Sequence, residues 1–211
     1  GLYLDEGERV YLIDSGNDKE AGKKVEKHLK AQGWDLFAIL NTHSNADHIG
    51  GNQVLQERTG CRIFAAGAEA AFTRKPMLEP SFLYGGYPCK ALRNKFLMAK
   101  ESRAEDLEKA PLPSGMEVIP LPGHFLDMVG FRTPDGVCFL ADFLTGAAIL
   151  DKYHISFIYD VVAYLKTLDM VERLEGEVYI LAHGEVQKDI RPLVRLNRDK
   201  VLEIRDKLLL L

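Results

Sequence analysis

Residues 42–51 read THSNADHIGG, which places His43, Asp47 and His48 within one short stretch, with Asn45 between them. Imidazole and carboxylate groups at this density either hold a metal or move protons. Elsewhere, His124 follows the apolar run EVIPLPG, His183 follows VYILA, and Asp142 ends GVCFLAD. Each of these groups stands just past a strand-like segment, where α/β proteins carry ligands and catalytic side chains. Histidine placed this way four times is not explained by packing. A hard or borderline dication requires imidazole nitrogens and carboxylate oxygens arriving from several elements. Gly50, Gly51, Gly123 and Gly184 flank the histidines and permit tight turns. Asn45 has two readings. It is a weak ligand through its neutral carbonyl oxygen, or a turn residue that holds the loop without touching a metal.

The surrounding pattern predicts the elements that carry these groups. GLYLDEGERVYLIDSG reads as two strands around a turn at Glu6-Gly7. A helix is expected over 17–32, capped by Asn17, striped by Ala21, Val25 and Leu29, and stopped by Gly33. Residues 35–42 read as a buried strand, 51–58 as a short helix and 61–66 as the next strand. Pro76, Pro80, Pro88, Pro111 and Pro113 predict an irregular insertion at about 74–113. Three strands are expected within 116–142, a helix over 157–174, a strand over 178–182 and a long helix over 186–211. Strands alternating with helices mean α/β, and no repeat or linker divides the chain, so one domain spanning 1–211 is expected.

Composition narrows the function. The 211 residues are 46% hydrophobic and carry a formal net charge of −4, which favours neither nucleic acid nor an anionic membrane as partner. No apolar run approaches the ~20 residues of a membrane span, and no signal-like segment is legible. Three cysteines without a C-x-x-C spacing argue against a disulfide framework. Cys61 and Cys138 lie in apolar runs and read as core residues, and the expected compartment is the cytoplasm.

The order of these motifs resembles the metallo-β-lactamase superfamily. The family motif H-x-H-x-D-H is matched from His43 to His48 at every ligand position except Asn45. PGHFLDMVGF (122–131) resembles the second histidine loop, LADFL (140–144) the segment of the bridging aspartate, AHGE (182–185) the last histidine loop, and IDSG (13–16) the turn under the site. The resemblance implies an αββα sandwich of two mixed sheets with helices outside. It also implies a first metal position at His43, Asn45 and His124, and a second at Asp47, His48 and His183, with Asp142 as the bridge. The implied cofactor is Zn2+, one ion or two, with iron or manganese as alternatives.

In the hydrolases of that family a metal-bound hydroxide attacks a carbonyl or phosphorus, and Asp47 would take up the proton. The expectation is a hydrolase of a small ester, thioester, lactone or phosphoester. Two alternatives stay open. One is a mononuclear non-heme iron oxidoreductase, similar to persulfide dioxygenases, using His43, His124 and Asp142. The other is a degenerate domain that only binds a metal, ligand or partner. The aromatic stretch PSFLYGGYP reads either as a substrate wall, through Phe82, Tyr84 and Tyr87, or as a homodimer contact. His154 reads as a substrate contact or as a plain loop residue.

Overall fold

The computed structural model describes residues 1–5, 8–154 and 156–210. The chain divides into two compact units, Gly1–Pro113 and Ser114–Leu211.

The first unit is built on a five-stranded sheet in the order β1 (Leu2–Leu4), β2 (Arg9–Ile13), β3 (Asp35–Leu40), β4 (Arg62–Ala65), β5 (Ala104–Asp106). The pair β1–β2 is antiparallel, and the remaining pairs are parallel. The turn expected at Glu6-Gly7 lies outside the described residues. Strands β2 and β3 are almost continuously apolar and buried, as parallel strands covered on both faces must be. Val10, Leu12, Ile39 and Ile63 pack with Leu29 of α1 (Lys19–Gln32) and Leu55 of α3 (Asn52–Thr59). A one-turn helix, α2 (Ala46–Ile49), lies between β3 and α3.

Helix α1 starts later than expected. Asp18, rather than Asn17, is its cap, and its Oδ1 accepts from the backbone N–H groups of Glu20 and Ala21. Gly33 closes the helix in the left-handed conformation, as predicted.

The insertion expected to be irregular contains two helices, α4 (Gly67–Arg74) and α5 (Leu78–Tyr84), and the edge strand β5. Pro80 did not prevent α5, because it occupies the first turn, where a backbone N–H has no intrahelical acceptor to lose.

The second unit holds a four-stranded sheet in the order β6 (Glu117–Pro120), β7 (Val129–Arg132), β8 (Val137–Ala141), β9 (Val178–Leu181). It is antiparallel except for β8–β9. Both sheets are therefore mixed, as expected. Helices α6 (Ala147–Tyr153), α7 (Val161–Val171) and α8 (Arg191–Leu209) complete the unit. Its core joins Leu121, Leu140, Phe143, Tyr164, Leu168 and Val194.

Helix α6 was not anticipated. Helix α7 is shorter than the 157–174 predicted, because Asp160 caps it by accepting from the Ala163 N–H. Helix α8 begins at Arg191, with Pro192 in its first turn, rather than near Val186. The last residue of that prediction, Leu211, lies outside the described residues.

Candidate metal centre

In the first unit the end of β3 delivers Asn41 to His48 onto a loop seated on the turn after β2. Ser15 binds the carbonyl of His48 through both its N–H and its hydroxyl. Gly51 donates back to the Ser15 hydroxyl. The approach is close enough to require glycine. A Cβ on Gly50 would meet Asn17 backbone at 2.4 Å, and one on Gly51 would meet the Ser15 carbonyl at 2.4 Å. The glycines after the motif therefore set the height of the loop.

Asp14 organises this half of the site. It sits at φ 56°, a left-handed conformation that an aspartate tolerates better than most residues. Its Oδ1 accepts from the Thr42 N–H at 2.8 Å, and its Oδ2 from the Thr42 hydroxyl at 2.7 Å. The same Oδ2 lies 2.8 Å from Nδ1 of His48. A carboxylate only accepts, so His48 carries its proton on Nδ1 and its lone pair on Nε2.

The Thr42 hydroxyl, having given its proton to Asp14, accepts from Nδ1 of His43 at 3.0 Å. His43 is thereby set in the same tautomer. The two rings are buried with centroids 4.0 Å apart, and Asp14, His43 and His48 form one potential metal-holding group. Asp47 is half-exposed, its Oδ2 3.8 Å from Nε2 of His48.

Asn45 does not behave as a local turn residue. At the start of α2 it makes no capping bond. Instead its Nδ2 donates to Oε1 of Glu79, on α5, at 2.8 Å. Glu79 is buried, and burial pushes its carboxyl up to about 8, with the Asp47 charge adding to the rise and the Asn45 donor opposing it. A second buried glutamate, Glu69 of α4, accepts from the N–H and the hydroxyl of Ser44. Neither glutamate was anticipated. The only trace in the sequence is a carboxylate inside an apolar helical run, AAGAEAAF for Glu69, and beside Pro80 for Glu79.

In the second unit, His124 follows Gly123, which takes φ 129° and whose Cβ would meet Tyr164 backbone at 2.5 Å. Nδ1 of His124 lies 3.0 Å from the Phe157 carbonyl. A carbonyl only accepts, so this ring too carries its lone pair on Nε2. Asp142 follows β8, and its Oδ2 lies 4.0 Å from Nε2 of His124 and 3.5 Å from Nε2 of His183. His183, past β9, is about half-exposed. One carboxylate thus stands beside two imidazoles at this end of the sheet.

The substrate candidates are less gathered. Phe82 stands edge-on to Phe72, and Tyr84 is exposed. Tyr87 projects into solvent beneath the Arg93 guanidinium, whose central carbon lies 5.3 Å from the ring centroid. His154 closes α6 at φ 65° and is exposed.

This arrangement fits a dication. In three rings a backbone or side-chain acceptor fixes the Nδ1 proton and assigns Nε2 as the donor atom, which is how metal-binding histidines are oriented.

The family described as the Metallo-beta-lactamase superfamily matches residues 2–183. Among curated relatives, a hydroxyacylglutathione hydrolase of Cereibacter sphaeroides is 34% identical over 116 residues, covering 55% of this chain and 36% of the relative. One of Erythrobacter litoralis is 43% identical over 56 residues, covering 25% of this chain and 22% of the relative. The matches thus span about a third or less of those relatives' length.

Among solved structures, the metallo-beta-lactamase family protein TTHA1429 from Thermus thermophilus is similar over 100% of this chain and 76% of its own, with TM-score 0.73 and 24% identity. TTHA1623, solved in a di-iron-bound form, is similar over 93% of this chain and 91% of its own, with TM-score 0.66 and 23% identity. These likenesses bear out the fold expected from the motifs.

Proposed function

Because the chain belongs to the metallo-beta-lactamase superfamily, we propose that it is a metal-dependent hydrolase acting on a small ester, thioester, lactone or phosphoester. The thioester is favoured by the hydroxyacylglutathione hydrolases among its relatives. The single observation that carries the reading is that Nδ1 of His43, His48 and His124 each lies within hydrogen-bond distance of an oxygen, an arrangement that turns Nε2 to ligand duty. The family's motif set would make His43, Asp47, His48, His124, Asp142 and His183 the metal ligands, with Asn45 as a weaker one.

The cofactor proposed is Zn2+, one ion or two. A bound dication supplies a Lewis acid and lowers the pKa of water. The chain's own residues do the rest. Asp14 and Thr42 hold two imidazoles in register, and the Phe157 carbonyl holds a third. Asp47, half-exposed beside His48, takes up the proton released in hydrolysis. Phe82, Tyr84 and Tyr87 offer apolar surface to the substrate, with His154 as a further contact. Three thiols without disulfides suit a reducing compartment, the cytoplasm. Among the described residues no helix is long and apolar enough to cross a membrane.

The test is elemental analysis of protein expressed without added metal, followed by assay against thioester, ester, lactone and phosphoester panels before and after chelation. Zinc with chelator-sensitive turnover of one class supports the reading. Iron at one per chain with no hydrolysis of any class overturns it in favour of oxidoreductase chemistry. Absence of bound metal overturns it in favour of a binding domain.

A further inference from the structure

The pair formed by Asn45 and Glu79 bears on the metal-ligand reading, on which this inference rests. A primary amide has two unlike ends. Nδ2 is a donor and cannot ligate a cation, whereas Oδ1 can. Which end faces the ligand side of the loop is decided by whatever holds the other.

Here the holder is a carboxyl group that is 3% exposed, and it takes Nδ2 at 2.8 Å. Its second oxygen, Oε2, is buried and makes no bond to Asn45, and the backbone N–H of Ala46 is the carboxyl's other polar neighbour. The two side chains are therefore joined by one bond, not by the paired acid–amide ring that would also engage Oδ1. Oδ1 is left unclaimed by Glu79. The bond also explains why Asn45 makes no cap for α2, although asparagine is among the best capping residues. Its side chain is committed elsewhere, across 34 residues of sequence.

We propose that Glu79 is the positioning residue for Asn45, accepting from Nδ2 so that position 45 presents a neutral oxygen to the metal. On this reading Asn45 is not a lost histidine. Asparagine and the buried glutamate form a matched pair that exchanges a nitrogen ligand for an oxygen ligand, which suits a harder dication than a third imidazole would.

The test is a double-mutant cycle read by Zn2+ and Mn2+ titration of the full chain, calorimetrically and with a competing chelator, alongside melting curves. Glu79→Leu in the wild-type background should weaken the weaker binding step about 10–100-fold, the range found when a group that orients a ligand is removed. The same change in an Asn45→Ala background should have an effect of less than about twofold, because the ligand it orients is already gone. Glu79→Gln, whose carbonyl still accepts from Nδ2, should retain affinity.

Equal losses in both backgrounds, or a loss in Glu79→Gln as large as in Glu79→Leu, would overturn the positioning role while leaving the metal centre standing. A wild-type chain that binds neither ion would overturn both. If Glu79→Leu fails to fold, the Gln variant and Asn45→Ala against Asn45→Asp still decide. Aspartate sets two carboxyls against each other and should lose affinity or stability, unless Glu79 does not hold position 45.

Discussion

Nδ1 of His48 lies 2.8 Å from Oδ2 of Asp14, although the two residues are 34 positions apart. The same carboxylate binds Thr42 through both the N–H and the hydroxyl, and Thr42 in turn accepts from His43. One aspartate therefore orients two imidazoles, and its removal should be felt at both. We expect Asp14→Asn to weaken metal binding about 10–100-fold. Asparagine tolerates the left-handed backbone at this position, so the melting temperature of the metal-free variant should stay near that of the wild type. Metal titration and metal-free melting, measured together, check this. A metal-free chain that melts many degrees lower would mean that Asp14 acts mainly through folding.

Metal removal should destabilise the chain. A ligand at large excess over its dissociation constant adds about 3 kcal/mol to a fold that binds it, and the imidazoles at the loop ends lose that contribution without the cation. Calorimetry before and after chelation should show a fall of several degrees. Identical curves after verified removal would deny the metal a structural contribution.

Asn45→His bears on the same loop. The new ring can donate one N–H to Glu79 and keep a lone pair on the other nitrogen, the arrangement common to metal-binding histidines. The bound metal should rise towards two per chain, as elemental analysis would show. A count that stays at the wild-type value would mean that residue 45 is not at a metal position.

The aromatic face of α5 should matter for substrate more than for stability. Phe82 and Tyr84 are 39% and 56% exposed, so replacing both with Ala removes little buried area. The KM for an apolar substrate should rise several-fold, with the melting temperature shifted by only a few degrees. Sedimentation would reveal the other reading. If the double variant changes the oligomeric state and leaves KM alone, the face is a contact between copies.

The thiols should separate cleanly. Cys89 is exposed, while Cys61 and Cys138 are buried, and burial pushes Cys138 up to about 11 from an ordinary 9.0. In the native chain an alkylating reagent should label Cys89 alone, and after unfolding all three, as mass spectrometry would count. The pH effect follows in sign. A thiol whose folded value lies above its unfolded one stays protonated in the native state while the unfolded chain ionises. Stability from this group is therefore intact below about pH 9 and lost progressively towards about pH 11. Cys138→Ala should flatten that part of the stability profile.

The candidate metal ligands were legible because ligand chemistry is local. The loop 43–48 and the strand ends before His124, Asp142 and His183 are each defined by a few neighbouring residues with a distinctive periodicity. The strands were legible for the same reason, and Gly33 marked a helix end by its own conformational freedom. What the linear pattern could not supply was pairing at a distance. Asp18 displaced Asn17 as the cap because its carboxylate reached the free N–H groups of the first turn. Pro80 proved compatible with a helix only because of where that helix began.

Nothing local couples Asp14 to His48, or Glu69 to Ser44. The sequence alone left Asn45 open between ligand and turn residue. Only the tertiary structure brought α5 back to the loop and set a buried carboxyl group against the amide. A buried polar group must find its partner wherever the packed chain provides one, and that partner is chosen by packing, not by neighbouring sequence.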